Sequence, residues 1–260
     1  MGSNIIILPM YDWPEITTET NQLFDQLKQS IGDAGFNPPE ELTREGDLWD
    51  IWKSPRLLLG QTCGLPLCTD LKGKVTLLGT PTYDIDCDAG LYCSVIVVKS
   101  DSPLAALVDL KDKIFAYNAP NSQSGYAAMI NAVITSDAPF NPMVKNVETG
   151  SHRNSIKAVA TGIADFAAID AISWQLALRH EPDAKRLRVL QITSPTPALP
   201  FITAHRPDEQ VEKLQKAIKI AMKNLDVATK ENLLLTGFKN TTLESYQIIE
   251  TRFNKIKTYF

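Results

Sequence analysis

Residues 113–134 read KIFAYNAPNSQSGYAAMINAVI, a short apolar run followed by a polar loop and a second apolar-rich segment. The first five residues predict a buried strand, residues 118–124 a loop, and residues 125–134 a helix. This succession is typical of α/β proteins with mostly parallel sheets and helices on both faces. Ligands of such sheets bind beyond the carboxyl ends of the strands, so the loop after this strand is a candidate site.

The same alternation extends over the rest of the chain. Apolar runs without a helical period predict strands at 5–8, 57–59, 75–78, 94–98, 166–169, 188–192 and 201–203. Helical patterns cover 17–34, 47–53, a segment that starts after 150, 171–179 and two stretches beyond 210. The apolar faces of three of these helices are Leu23, Phe24, Leu27 and Ile31; Ile156, Val159 and Ile163; and Leu243, Tyr246, Ile249, Phe253 and Ile256.

Length and composition limit the possible functions. The chain has 260 residues, of which 44% are hydrophobic and 22% charged, enough for two α/β lobes. Its net charge of −4 gives no basic footprint, so we expect no nucleic-acid partner. No apolar run approaches the roughly 20 residues that cross a bilayer, so we expect no membrane insertion. No basic segment precedes a long apolar one, so we expect no signal peptide.

Four cysteines lie close together in the sequence, at Cys63, Cys68, Cys87 and Cys93. Four thiols allow three complete pairings, and the sequence does not choose among them. The spacing is looser than that of most structural zinc sites, so we favour one or two disulfides over a metal. Burial as small apolar side chains is the alternative.

The sharpest local feature is the group Ser122, Ser124 and Gly125 at the entrance of a predicted helix. Unpaired backbone N–H groups and the positive helix pole meet there, and two hydroxyls add further donors. Gly125 would let the backbone approach a ligand closely. These properties suit an anion-binding loop, although Ser122 or Ser124 could simply cap the helix.

A second helix entrance, Ser151 and His152, and an acidic residue, Asp170, follow in the same half of the chain. If the two helix entrances converge, they form one anion site, with His152 in the first helical turn. Asp170 comes directly after a buried strand and could accept a hydrogen bond from a protonated phosphoryl oxygen or an amine. Its alternative role is to cap the helix that follows.

The sequence supports an enzymatic function less well. Ser124, His152 and Asp170 could form a catalytic triad, but Ser122 stands where a nucleophile elbow has glycine, and the chain order differs from that of α/β-hydrolases. Asp84–Asp88 lacks the glycine and glutamate of a calcium loop. No glycine pattern for nucleotides or dinucleotides occurs. We therefore expect no enzyme, no cofactor and no metal.

Aromatic residues concentrate in the first 92 residues, near predicted strand ends, and could wall a ligand site. They are Tyr11, Trp13, Trp49, Trp52, Tyr83 and Tyr92. Trp49 and Trp52 are spaced as one packed helical face. Gln61 and Thr62 end a predicted strand and could donate hydrogen bonds from the opposite lobe.

Several motifs together resemble the phosphate/phosphite/phosphonate ABC-transporter substrate-binding proteins. They are Leu8–Asp12, Gln61–Pro66, Phe115–Asn118, Ser122–Gly125, Gly150–Ser155, Ala158–Asp165 with Asp170, and Ser194–Pro197. The resemblance spans nearly the whole chain. It implies the two-lobed type 2 periplasmic-binding fold, with residues 1–93 and 197–260 in lobe one and 94–196 in lobe two. The crossing strands would be Ser94–Lys99 and Ile192–Pro197, with the ligand cleft between the lobes.

The resemblance also implies a function. The protein would be a monomeric solute-binding component that closes on a small phosphate- or phosphonate-like anion and delivers it to an ABC permease. Its location would be periplasmic or otherwise extracytoplasmic. The ligand-binding residues carried over are Tyr11, Tyr83, Ser122, Ser124, Gly125, His152 and Asp170. The alternative is a cytoplasmic enzyme or sensor domain on the same fold, such as a hydrolase or a thiamine-precursor protein.

Overall fold

The computed structural model describes residues 3–137 and 139–259. The chain divides into two compact units. The first contains the residues up to Leu91 together with Pro197–Tyr246, and the second contains Tyr92–Thr196 together with the residues from Gln247 onward. The predicted lobes placed 247–260 in the first lobe. In the structure Arg252 donates to the backbone carbonyls of Ser194 and Pro195, at 3.3 and 3.2 Å, which associates this segment with the second unit.

The first unit is built around a five-stranded sheet with the order β1-β2-β11-β3-β12. β1 and β2 are parallel, whereas β11 is antiparallel to both β2 and β3, and β12 is antiparallel to β3. The strands are β1 (Ile5–Ile7), β2 (Leu57–Gln61), β3 (Thr76–Tyr83), β11 (Phe201–Thr203) and β12 (Leu235–Lys239).

The second unit contains another five-stranded sheet, with the order β7-β6-β8-β5-β9. β6 is parallel to β7 and β8, and β5 is antiparallel to β8 and β9. Its strands are β5 (Ser94–Lys99), β6 (Phe115–Tyr117), β7 (Asn146–Glu148), β8 (Phe166–Asp170) and β9 (Leu187–Ile192). Two short strands, β4 (Leu91–Tyr92) and β10 (Thr196–Pro197), pair where the chain passes between units. β10 lies within the predicted crossing strand Ile192–Pro197, whereas β4 precedes the predicted crossing strand Ser94–Lys99.

The α/β class is confirmed, but the sheets are mixed rather than mostly parallel. Parallel neighbours need a crossover connection, usually a helix. β5 and β11 instead enter their sheets directly after the chain passes from one unit to the other, and each runs against its neighbours. Alternation of strands and helices in the sequence does not reveal that reversal.

Helices complete both units. They are α1 (Thr17–Asp33), α2 (Leu48–Trp52), α3 (Gly64–Cys68), α4 (Ala128–Ile134), α5 (His152–Thr161), α6 (Ala171–His180), α7 (Asp208–Asn224), α8 (Val227–Asn232) and α9 (Leu243–Tyr259). The buried face of α1 is the predicted one. Trp49 and Trp52 pack edge to face, with ring centroids 5.3 Å apart, as their spacing predicts.

Two predicted core positions are wrong. Ile163 is 61% exposed because α5 ends at Thr161 and Gly162 turns the chain with a φ of 81°. Leu243 is 57% exposed at the first residue of α9, where the helix has not yet reached the core. The remaining apolar face of α9 begins at Tyr246, which is fully buried.

The core of the second unit lies directly beneath the candidate site. Phe115 of β6 and Phe166 of β8 stack with ring centroids 5.1 Å apart and are both fully buried. Met129 and Val133 of α4 pack into the same cluster. Burial of this kind is the largest favourable contribution to folding, and here it fixes the strand ends and the start of α4 relative to one another.

The predicted disulfides are wrong, since all four cysteines are thiols. Cys68 is buried, and its Sγ approaches the carbonyl oxygen of Tyr246 at 3.4 Å. Among residues 3–137 and 139–259, no cluster of three or more histidine, cysteine or acidic side chains could hold a metal ion. Within the same residues, no helix has the length and apolar character needed to cross a membrane.

Candidate functional site

The serine-rich turn forms the entrance to α4. Residues Gln123–Ala127 make a single π-helical turn, with Ser122 as its N-cap. The Ser122 Oγ accepts a hydrogen bond from the Gly125 N–H at 3.0 Å. Ser122 is therefore the capping residue, which was the alternative to a direct ligand contact. π-Turns of this kind occur frequently at functional sites.

Ser124 is oriented differently, and its hydroxyl contacts the other helix entrance. Its Oγ lies 2.8 Å from the Nε2 atom of His152. Its backbone carbonyl accepts a hydrogen bond from the Ser94 hydroxyl, at 3.0 Å, at the start of β5. Ser124 is thus held by a strand on its backbone side and by a histidine on its side-chain side.

The start of α5 is fixed to the end of β6. Ser151 caps α5 by accepting a hydrogen bond from the Asn154 N–H at 3.1 Å. Just before it, the Gly150 N–H donates to the carbonyl oxygen of Asn118 at 3.0 Å. The structure therefore brings together the two helix entrances that the sequence singled out, both within the second unit.

His152 is a neutral, buried base. Burial lowers the pKa of His152 to about 4, and a backbone hydrogen bond with Ala168 opposes only part of that shift. The residue as a whole is partly exposed, yet its Nδ1 atom is buried and has no partner of good hydrogen-bond geometry among the described residues. At neutral pH the imidazole therefore carries no charge, and either Ser124 or Nε2 can be the donor in their contact.

Gly125 is required for packing. A Cβ atom added there would lie 1.9 Å from Oδ1 of Asn118, 2.9 Å from its Cγ and 3.1 Å from Cε1 of His152. Contacts under 3 Å to a buried amide leave no room for any side chain. The predicted reason for this glycine was close approach of a ligand. In the structure Asn118 and His152 occupy the space beside it.

Asp170 caps a helix. It is the last residue of β8 and is 2% exposed, and its Oδ1 accepts the Ser173 N–H at 2.8 Å at the start of α6. It does not orient His152, whose Nδ1 makes no well-formed hydrogen bond. The structure thus brings Ser124 and His152 together without an acidic partner on the ring, and the triad is not assembled.

The two predicted tyrosines meet in the first unit. The rings of Tyr11 and Tyr83 pack edge to face with centroids 5.3 Å apart, and the Gln61 amide donates to the Tyr83 hydroxyl at 3.0 Å. A largely apolar pocket lies around them. Its lining residues, all in the first unit, are Leu8, Tyr11, Asp12, Thr20, Leu23, Gln61, Tyr83, Phe201, Leu233 and Leu235.

Asn118 belongs to the site but was not among the predicted binding residues. It follows β6 directly, and its side chain fills the space next to Gly125. The available signal was an amide side chain at the carboxyl end of a predicted parallel strand.

A family model described as the ABC transporter, phosphonate, periplasmic substrate-binding protein matches residues 69–246. The matched range includes the serine turn, His152 and Asp170. No curated protein sequence matches the chain.

Solved structures share the fold at low sequence identity. PhnD1 from Prochlorococcus marinus in complex with methylphosphonate has a TM-score of 0.76 and 17% identity, with 98% of each chain covered. A binding protein component of an ABC phosphonate transporter from Pseudomonas aeruginosa has a TM-score of 0.73 and 16% identity, covering 99% of this chain and 87% of that one. A Xanthomonas citri protein bound to chloride ion has a TM-score of 0.73 and 18% identity, with both chains fully covered.

Proposed function

Because the chain belongs to the family of periplasmic substrate-binding proteins of phosphonate ABC transporters, we propose that it captures a small phosphonate- or phosphate-like anion and delivers it to an ABC permease. Membership of this family supports the role in transport. The structure of the second unit supports an anion as the ligand, and we place the protein outside the cytoplasm, as a monomer without a bound cofactor.

The contact between Ser124 and His152 is the observation that supports an anion as the ligand. It joins the entrances of α4 and α5, so that a hydroxyl, an imidazole and two sets of helix N-terminal N–H groups lie at one place. Donors of this kind favour an oxyanion without needing a positively charged side chain. Tetrahedral oxyanions such as phosphonates present several acceptor oxygens to such a group of donors.

The tyrosines and the remaining predicted residues complete the proposal. Tyr11 and Tyr83, the second of which accepts a hydrogen bond from Gln61, offer an aromatic wall beside an apolar pocket, which suits the organic group of a phosphonate. Ser122 and Gly125 act by holding the backbone at the entrance of α4, and Asp170 acts by capping α6 at the end of β8.

A hydrolase on the same fold is the second candidate, and the short Ser124–His152 contact is the observation that favours it. A serine nucleophile needs a base that a third group orients. His152 lacks such an orienting acid, so we propose binding without catalysis.

Calorimetry with methylphosphonate tests the proposal. We expect Ser124→Ala and His152→Ala each to weaken binding at least tenfold, about 1.4 kcal/mol, because each removes a polar contact at the convergence of the helices. Ser136→Ala is the matched control, since it removes a hydroxyl that donates to Val133 at the other end of α4. Unchanged affinity in both site variants would contradict the assignment. Hydrolysis of an activated ester by the wild type, lost in Ser124→Ala, would support the hydrolase instead.

A further inference from the structure

Asn118 is held at the junction of the elements that form the site. It comes directly after β6, and its carbonyl oxygen accepts the Gly150 N–H just before α5. Its side chain packs against Gly125 of the serine turn, with Oδ1 in the space that a Cβ would occupy. One residue therefore touches both the turn before α4 and the turn before α5.

The orientation of the amide follows from this packing. Oδ1 is buried, has no N–H or O–H partner among the described residues, and faces the Cα of Gly125. A carbonyl-type oxygen against a Cα–H group is a weakly favourable contact, whereas an NH₂ group there would bring two hydrogen-bearing groups together. The amide nitrogen is consequently turned away from Gly125.

That nitrogen carries two N–H donors, which make no hydrogen bond to a residue within 3–137 or 139–259 and which, unlike Oδ1, are not buried. Asn118 as a residue is partly exposed although its Oδ1 is buried. The Cε1 of His152, the residue that contacts Ser124, approaches the same point beside Gly125. A pair of unused donors thus lies next to the Ser124–His152 contact.

We propose that Asn118 is a further ligand-binding residue, whose amide N–H groups donate to an oxygen of the bound oxyanion beside Ser124. The inference rests on the proposed function, because it assumes that the anion binds at this turn. Asn118 would add an uncharged hydrogen-bond donor to the site, so that the residue directly after β6 takes part in ligand recognition.

Three variants test the inference by calorimetry with methylphosphonate. Asn118→Asp keeps an oxygen against Gly125 but replaces the donors by a carboxylate, and we expect affinity to fall at least 30-fold at pH 7.5. Asn118→Ala loses the donors without adding charge, and we expect a loss of three- to tenfold. Asn141→Asp adds the same charge elsewhere in the second unit, where its Oδ1 accepts the Met143 N–H, and we expect affinity within twofold of the wild type.

The Asn118→Ala variant separates recognition from packing, because it removes the donors without adding charge. If Asn118 served only to fill the space beside Gly125, Asn118→Ala would lower the melting temperature of the ligand-free protein and leave the affinity for methylphosphonate within twofold of the wild type. That result would overturn the inference.

The outcome also distinguishes this inference from the proposed function. Wild-type protein that releases no heat with methylphosphonate or inorganic phosphate would contradict both. Wild-type binding with an Asn118→Asp affinity within twofold of it would overturn the role of Asn118 alone. Thermal unfolding of each ligand-free variant checks that a loss of binding does not reflect a loss of fold.

Discussion

At the scale of single residues, His152 has the most unusual environment among the predicted site residues. A histidine in water is half-protonated near pH 6.5, whereas burial lowers the pKa of His152 to about 4. Its Nε2 is engaged by Ser124, and its Nδ1 has no well-formed partner in the described chain. The neutral ring can therefore bind an anion only through a hydrogen bond, and its protonation in the folded state would need strongly acidic conditions.

The depressed pKa makes stability depend on pH. Below pH 6.5 His152 becomes protonated in the unfolded chain, whereas in the folded chain it stays neutral down to about pH 4. The free energy of unfolding therefore falls as the pH falls through this window. The full contribution is on the order of 3 kcal/mol. We expect the difference in unfolding free energy between wild type and His152→Gln, measured with urea, to change in the variant's favour between pH 7 and pH 4.5.

The control for that experiment is His205→Gln, which removes an exposed histidine from the first unit. A difference between wild type and His152→Gln that stays constant over this pH range would contradict the assignment of His152 as a buried neutral base.

Much of this site could be predicted from residue types alone. Serines, a glycine and a histidine at two helix starts are recognisable because capping and anion binding use the same backbone groups. Whether such a residue caps a helix or contacts a neighbour depends on one side-chain torsion. Ser122 caps its own turn and Ser124 contacts His152, although the two are only two positions apart. Asn118 was missed because its contact with Gly125 exists only in three dimensions.

At the scale of elements, α5 is held in place by a buried carboxylate at its outer side. The Glu181 carboxylate, 6% exposed, accepts a hydrogen bond from Nε of Arg153 at 2.7 Å and lies 3.5 Å from Nζ of Lys157. Burial raises the pKa of Glu181, but these two cations and the Asp183 backbone outweigh it and leave the pKa lowered. The Arg153–Glu181 ion pair joins the first turn of α5, next to His152, to the start of the short helix Pro182–Arg186.

We expect Glu181→Gln to lower the unfolding free energy at pH 7 by about 1–2 kcal/mol, because two cations lose a charged hydrogen-bond acceptor at a largely buried position. Urea denaturation measures the change. Glu209→Gln is the matched control, since Glu209 pairs with Lys213 on an exposed face of α7, and its denaturation midpoint should not move. Equal midpoints for wild type and Glu181→Gln would show that the cluster does not hold α5.

Elements with a clear apolar pattern could be predicted, whereas several of the short ones could not. α1 carries a long apolar face and was predicted at 17–34, almost its observed extent, and one of the two helical stretches predicted beyond 210 is α7. α3, α8 and the strand pair β4–β10 have six residues or fewer, too short for a period to emerge. Strand β12 mixes buried and exposed residues around Gly237 and carries no continuous apolar run.

At the scale of the whole molecule, the sequence does not show to which unit the C-terminal segment belongs. The helical pattern of residues 243–256 shows that α9 has an apolar face but not which core receives it. Tyr246 falls in the first unit and Arg252 in the second, so one helix belongs to both. The net charge of −4 likewise says little about the ligand, because helix entrances provide local positive potential in an acidic protein.

The identity of the ligand is best tested on the intact protein by thermal unfolding. Ligands that bind only the folded state stabilise it by mass action, by about 4 kcal/mol at 1,000-fold excess over the dissociation constant. We expect millimolar methylphosphonate, 2-aminoethylphosphonate, phosphite or phosphate to raise the melting temperature by several degrees, and thiamine-related compounds to leave it unchanged. The stabilisation should fall to about 2.7 kcal/mol or less in Ser124→Ala, as a tenfold weaker affinity requires, and stay unchanged in Ser136→Ala, because only the first removes a group at the convergence of α4 and α5. A shift produced by thiamine-related compounds alone would assign this fold to a different ligand class.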